Sequence, residues 1–318
     1  MLDKTLRPLL GVLAALLLVA GCSGGAPTPE PAAADAAPRT VQTGDGPVEV
    51  PANPQRIVTL HNYTTTALLD VGVTPVGTIQ VSGATMLPQF TRALSGVPTV
   101  GQNDQIDYEK IASLQPDLIV GGAVPGIDYG YDKLSAIAPT VMWPMTVPAD
   151  WKRVSVETAG LVGRTAQIEE LRTRYDQRAA DLRSRFATGL ARTPVALVLG
   201  YDDGTFGSNG PESWGGTVLS DIGARFASVS AGEDAAAEYY GYDQLPRLDD
   251  AGAILLEGSP EDDRPTAGTQ MLVDQPLWRN RPAVRDGKTF VLHNFYPLHY
   301  GQALAVLDQL EQEVLPKL

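Results

Sequence analysis

Residues 165–188, TAQIEELRTRYDQRAADLRSRFAT, constrain the fold more than any other stretch. Ile168, Leu171, Tyr175, Ala179, Leu182 and Phe186 recur at steps of three and four, which places them in one stripe along a helix. Thr165 after Gly163 suits an N-cap, and Gly189 suits a stop. Arg, Glu, Asp and Gln occupy the other face, so it is solvated. The segments on either side, 108–120 and 242–256, resemble each other. The pattern predicts two similar α/β lobes joined by one rigid helix. An ordinary helix inside a single domain satisfies the same spacing.

The 318 residues are enough for two domains, and 43% hydrophobic with 19% charged is a globular balance. A net charge of −13 with no Lys/Arg run excludes a nucleic-acid surface. The single cysteine excludes an intramolecular disulfide, and three histidines exclude a His-rich metal store.

Lys4 and Arg7 precede an apolar run over 9–20, too short to span a membrane comfortably and suited to a signal peptide over 1–21. Val19-Ala20-Gly21-Cys22 matches a bacterial lipobox, in which Cys22 takes the lipid and becomes the new N-terminus. A plain secretory signal with an incidental cysteine is the alternative. Lipidation predicts a body anchored to the outer face of the bacterial cell membrane. Loss of Asp3, Lys4 and Arg7 makes the mature chain one unit more negative. Residues 22–50 are rich in Ala, Pro and Gly and are expected to form a disordered tether.

Beyond the tether, short apolar runs alternate with helical segments, which predicts parallel sheets. The expected division is an N-terminal α/β lobe over 51–148, a helical linker over 149–189 and a C-terminal α/β lobe over 190–318. Ligands of such sheets meet the loops after strand C-termini, here 61–66, 80–86, 101–106, 121–131 and 143–148. In the second lobe, 201–216 reads as a glycine-rich loop and 293–300 as an aromatic one. Glu109 and Asp243 open equivalent helices in the two repeats, a placement that the helix dipole alone would favour.

The chain resembles the substrate-binding proteins of bacterial iron-siderophore and cobalamin ABC importers, the FecB/FhuD/BtuF-like group. The resemblance rests on RIVTLHNYTTTALLDVGVTPVGT, VGQNDQIDYEKIASLQPDLIVGG, the 165–188 helix and QPLWRNRPAVRDGKTFVLHN, and runs from about residue 55 to the end. It implies the class III periplasmic binding protein fold: two Rossmann-like lobes with parallel sheets on one long rigid helix, moving little on binding. It also implies a monomer that delivers ligand from the interlobe cleft to an ABC permease with its ATPase. Glu109 and Asp243 match the family's transporter-docking acids, which meet permease arginines. One departure is clear: Gln102-Asn103 follows the third strand, where hydroxamate binders of the group carry an arginine.

The candidate ligand residues are Tyr63, Trp143, Tyr201, Trp214 and Tyr296, aromatics at or just past strand ends, with Arg264 as the main cation and His293 nearby. Core packing would also account for each aromatic singly. Ferric catecholates and haem need several cations to offset desolvation, whereas a neutral or cationic ferric hydroxamate needs apolar and aromatic walls. The expected ligand is therefore a ferric hydroxamate-type siderophore, with haem, cobalamin or a metal ion as the alternatives on this fold. A non-transport cell-envelope lipoprotein is a further alternative. His61, His293 and His299 lie in or near cleft loops, but a siderophore saturates its own iron, so no protein metal site and no cofactor are expected. No enzyme motif is present: Phe206-Gly207-Ser208-Asn209-Gly210 lacks the first glycine of a nucleophile elbow.

Overall fold

The computed structural model describes residues 37–318 apart from 82–85, 103–104, 231–235 and 259–263. The expected signal peptide, the expected lipidation site Cys22 and the first part of the expected tether lie outside the described residues. The second part departs from expectation. Arg39–Thr43 (β1) and Gly46–Val50 (β2) pair as an antiparallel hairpin. Gly46 closes it at a φ of 108°, where a side chain would be strained. Val48 and Val50 are buried, and the Arg39 guanidinium donates to the Gly160 carbonyl at 2.7 Å. Composition concealed this hairpin because its few valines, spaced for one face, are diluted by Gly, Pro and Thr.

The first lobe contains β3 (Ile57–Thr59), β4 (Gly77–Thr78), the small ladder β5 (Gly101–Gln102) with β6 (Gln105–Ile106), β7 (Leu118–Ala123) and β8 (Thr140–Pro144). Its main sheet is parallel throughout, in the order β4-β3-β7-β8. Helices α1 (Asn62–Asp70), α2 (Pro88–Ala93), α3 (Tyr108–Ser113) and α4 (Tyr131–Ser135) connect it. Three linker helices follow: α5 (Trp151–Leu161), α6 (Thr165–Arg185) and α7 (Ala187–Arg192). The second lobe holds β9 (Val195–Gly200), β10 (Thr205–Asn209), β11 (Ala237–Gly241), β12 (Ala253–Glu257) and β13 (Thr289–Leu292). Its helices are α8 (Trp214–Asp221), α9 (Ala267–Val273), α10 (Pro282–Arg285) and α11 (Tyr300–Gln309).

The second sheet, ordered β11-β10-β9-β12-β13, is mixed: β9, β12 and β13 run parallel, while β10 and β11 run antiparallel. Residues read as the 201–216 loop therefore include a strand. Phe206 pairs with Gly200 and Ser208 with Val198, so backbone pairing outweighs the low strand preference of Gly207 and Asn209.

Both central sheets are covered on both faces, which is why their strands read as unbroken apolar runs. Alternation sorts those runs between layers. Leu118 and Val120 join the core shared with the linker helices, while Ile119 faces the outer layer with Ile111 and Leu134. Leu197 and Leu255 join the same shared core, while Val198 and Ile254 face Phe206 and Trp278. One hydrophobic cluster thus runs from the first sheet through α5, α6 and α11 to the second.

Helix α6 has 21 residues, about 31 Å of rigid rod. Ile168, Tyr175, Ala179 and Leu182 of the predicted stripe are buried, and Leu171 and Phe186 pack partly buried against the same core. Its ends differ from expectation. Arg164 occupies the N-cap and Thr165 is the first helical residue. Phe186, with φ −110° and ψ 15°, ends the helix before Gly189, which lies inside α7. No helix among the described residues is long and apolar enough to cross a membrane.

Candidate functional site

A cavity of about 570 Å³ lies between the lobes at the C-terminal ends of the parallel strands, within the ordinary range for small-molecule sites. The first lobe supplies His61, Asn62 and Tyr63 after β3, Val124 and Pro125 after β7, and 145–148 after β8. The second lobe supplies Tyr201 after β9, Asn209 from β10, Trp214 from α8, Ala237 and Tyr239 from β11, and Tyr296 and Leu298 after β13.

Local sequence positions each wall. His61 caps α1: its Nδ1 accepts from the Tyr63 backbone N–H at 3.2 Å. Its ring meets the Tyr63 ring edge-on at 4.8 Å. The expected loop 61–66 is thus the first turn of a helix. The hydroxyls of Thr64, Thr65 and Thr66 bond back to carbonyls at 61–63, which lets three β-branched residues begin a helix. On the opposite lobe Ser213 caps α8 by accepting from Gly216 N–H at 3.1 Å. A Cβ on Gly216 would lie 1.9 Å from the Gly210 carbonyl oxygen, so only glycine allows this tight entry. The cap and close turn deliver Trp214 into the cleft as the first residue of α8.

Tyr63 and Trp214 meet across the lobes, the indole N–H donating to the phenol oxygen at 2.6 Å. Trp214 meets Tyr296 edge-on at 5.2 Å, and Tyr201 lies 5.8 Å from Tyr239. Burial holds the Tyr63, Tyr201 and Tyr296 phenols well above their ordinary pKa, and the Glu257 carboxylate adds to the rise at Tyr201 and Tyr296. Burial lowers His61 to about 4. At neutral pH these groups are all uncharged. Among the described residues the wall holds no Lys, Arg, Asp or Glu. Asn62 Oδ1 and Asn209 Nδ2 are buried and find no hydrogen-bond partner, a cost that a polar ligand would relieve.

Four predicted ligand residues, Tyr63, Tyr201, Trp214 and Tyr296, come together on this wall. Trp143 does not. It is 6% exposed in the first lobe's core, and its Nε1 donates to Thr158 Oγ1 at 3.1 Å. Strand parity is the reason: Met142 faces the outer layer, so Trp143 turns toward the linker helices. Arg264, exposed, and His293, half-buried, both lie off the wall. The loops at 80–86 and 101–106 contribute no wall residue among those described. His299 is wholly buried, with Nδ1 2.8 Å from Asp70 Oδ1. Among the described residues no three His, Cys, Asp or Glu side chains gather as a metal site. Residues missed in the sequence include Asn62, Asn209, Val147 and Leu298. Asn62 and Val147 had a signal in lying after strand ends, whereas Asn209 sits in a strand that read as loop.

Glu109 and Asp243 are both exposed in the first turns of short helices, on α3 and on the 3₁₀ segment Tyr242–Leu248. Each helical segment leads to a central strand, β7 or β12, so the internal repeat is structural as well as sequential.

Two α/β lobes on a helical backbone, with an aromatic cavity at the strand ends, define a class III substrate-binding protein. The family model described as periplasmic binding protein matches residues 57–296, and the chain belongs to that family. The solved siderophore periplasmic binding protein from the fuscachelin gene cluster of Thermobifida fusca is 33% identical. It superposes with a TM-score of 0.76, over 84% of this chain and 98% of that one. The probable siderophore-binding lipoprotein YfiY of Bacillus subtilis is 30% identical over 70% of this chain and 68% of its own length. The iron(3+)-hydroxamate-binding protein YxeB of the same organism is 26% identical over 91% of this chain and 90% of its own. The protein is a substrate-binding protein of the ABC-importer kind and not an enzyme.

Proposed function

We propose that this protein captures a ferric siderophore of the hydroxamate type in the interlobe cleft and delivers it to an ABC permease. In this reading it works outside the cytoplasm, tethered through lipidated Cys22. The observation that carries the choice of ligand is the wall itself: aromatic, uncharged at neutral pH and without a cation among the described residues. A tris-catecholate iron complex or a haem carboxylate would be desolvated there with no charge to compensate. A ferric hydroxamate asks for aromatic surface, which Tyr63, Trp214 and Tyr296 supply, and a few hydrogen bonds, for which Asn62 and Asn209 hold unpartnered atoms. The phenols stay protonated and so are poor ligands for bare iron, which suits a complex whose chelator already holds it.

Delivery rests on Glu109 and Asp243, one exposed carboxylate per lobe, which suit charge-guided docking. The test titrates the soluble body, cut at Cys22, with ferric desferrioxamine B, ferric enterobactin, haem and cobalamin by tryptophan fluorescence. Saturable submicromolar binding of the hydroxamate alone is expected, and tight binding of enterobactin or haem would overturn the ligand class. The Glu109→Ala/Asp243→Ala double variant is expected to keep binding and lose uptake in cells. Surviving uptake would overturn the docking role.

A further inference from the structure

Among the described residues the wall is uncharged, yet carboxylates stand behind it: Asp150, which accepts from the Thr146 and Val147 backbone and is paired with Arg153, and Glu257, which makes no ion pair among those residues. Glu257 ends β12 at the cleft edge of the second sheet. Among the described residues its side-chain hydrogen bonds come from Thr266 Oγ1, which donates to Oε2 at 2.8 Å, and from Thr269 Oγ1 at 3.4 Å, and its backbone pairs with Leu292 of β13, the strand that leads to Tyr296. Thr266 and Thr269 flank the start of α9, so the carboxylate is held in place by its own lobe. Its field reaches Tyr201 as well as Tyr296, and Asp203 adds the same sign at Tyr201. In front of it stand Tyr201 and Tyr239, rings 5.8 Å apart, with Tyr239 64% exposed at the mouth. A cation entering here meets aromatic faces first and a carboxylate behind them. The same arrangement repels an anionic group.

Resting on the hydroxamate reading above, we infer that the cleft prefers ferric hydroxamates carrying positive charge, and that Glu257 sets this preference through the tyrosines it stands behind. The free ammonium tail of a linear trihydroxamate is the chemistry this arrangement recognises.

Two probes isolate that charge: ferric desferrioxamine B, with its free amine, and its N-acetylated form, with the same iron-binding groups and no ammonium. Wild-type protein is expected to bind the amine form roughly three- to tenfold more tightly. In Glu257→Gln, which keeps the side chain's shape and an acceptor for Thr266, the ratio is expected to fall to near one. A merely structural role for Glu257 would weaken both probes together and leave the ratio unchanged. Should that variant fold poorly, the wild-type ratio at rising salt gives a second reading, since screening is expected to shrink it. Equal binding of the two probes by wild type would overturn charge selection while leaving the hydroxamate reading intact. A preference that survives in Glu257→Gln would overturn the assignment to Glu257. Failure of both probes to bind would remove the hydroxamate reading and this inference with it.

Discussion

The two lobes meet in two ways, and helix α8 touches both. At its first residue Trp214 faces the cleft; one turn on, Thr217 accepts from the Trp151 indole at 3.4 Å; one turn further, Asp221 takes the Tyr175 hydroxyl and the Lys152 ammonium. In the cleft, aromatics line open space and polar atoms of Asn62 and Asn209 have no partner. In the seam, Trp151, Tyr175 and Tyr300 pack edge to face with centroids 5.2–6.4 Å apart, and all three are buried. Asp70 of α1 and His299 at the cap of α11 add a buried contact between the lobes. The difference teaches that one interface divides its labour. Closely packed groups in the seam hold the lobes, while the cleft keeps surface and hydrogen-bonding capacity for a ligand.

The largest expected effect falls on the seam. Trp151→Ala should destabilise the fold by about 3–5 kcal/mol, because a wholly buried indole leaves a cavity between three helices. Chemical denaturation measures it, and ligand affinity of the folded variant should change by less than about threefold. A collapse of affinity at low denaturant would break the division. The reverse result is expected for Trp214→Ala: a loss of tenfold or more in affinity, typical of a central aromatic anchor. Its stability cost should be under half that of Trp151→Ala.

The smallest effect concerns pH and sharpens the boundary between the two regions. Folding lowers the pKa of His61 from 6.5 to about 4, and its neutral Nδ1 caps α1. Between those values the unfolded chain takes up a proton that the folded chain refuses. The contribution is therefore present above pH 6.5 and is lost as pH falls toward 4. Thermal midpoints measured across that window should fall less steeply in His61→Asn, which retains a capping acceptor and does not titrate. An unchanged slope would show that His61 is not the group responsible.

Much of the architecture was legible in the sequence. The stripe on α6, the apolar runs of β7, β9 and β12 and the helix–strand repeat around Glu109 and Asp243 all follow from periodicities that burial enforces. The cleft was only partly legible. Tyr63, Tyr201, Trp214 and Tyr296 line the cleft as the strand-end rule expects, whereas Trp143, picked by the same rule, lies in the core. The hairpin at 39–50 and strand β10 escaped because their residues favour strands weakly and are held in part by partners distant in the chain, Gly160 for Arg39 and β11 for β10.

By itself, the sequence determined that two α/β units flank a long amphipathic helix, since local spacing and apolar alternation are properties of neighbouring residues. Only the tertiary structure decided which aromatics line the cleft, that Arg264 stands off the wall and that Glu257 stands behind it. Those facts depend on which face of each sheet packs against the linker helices, on the pairing of β10 with β11 and on the meeting of Tyr63 with Trp214 across the lobes. Each arises from contacts between residues far apart in the chain, which no local pattern records.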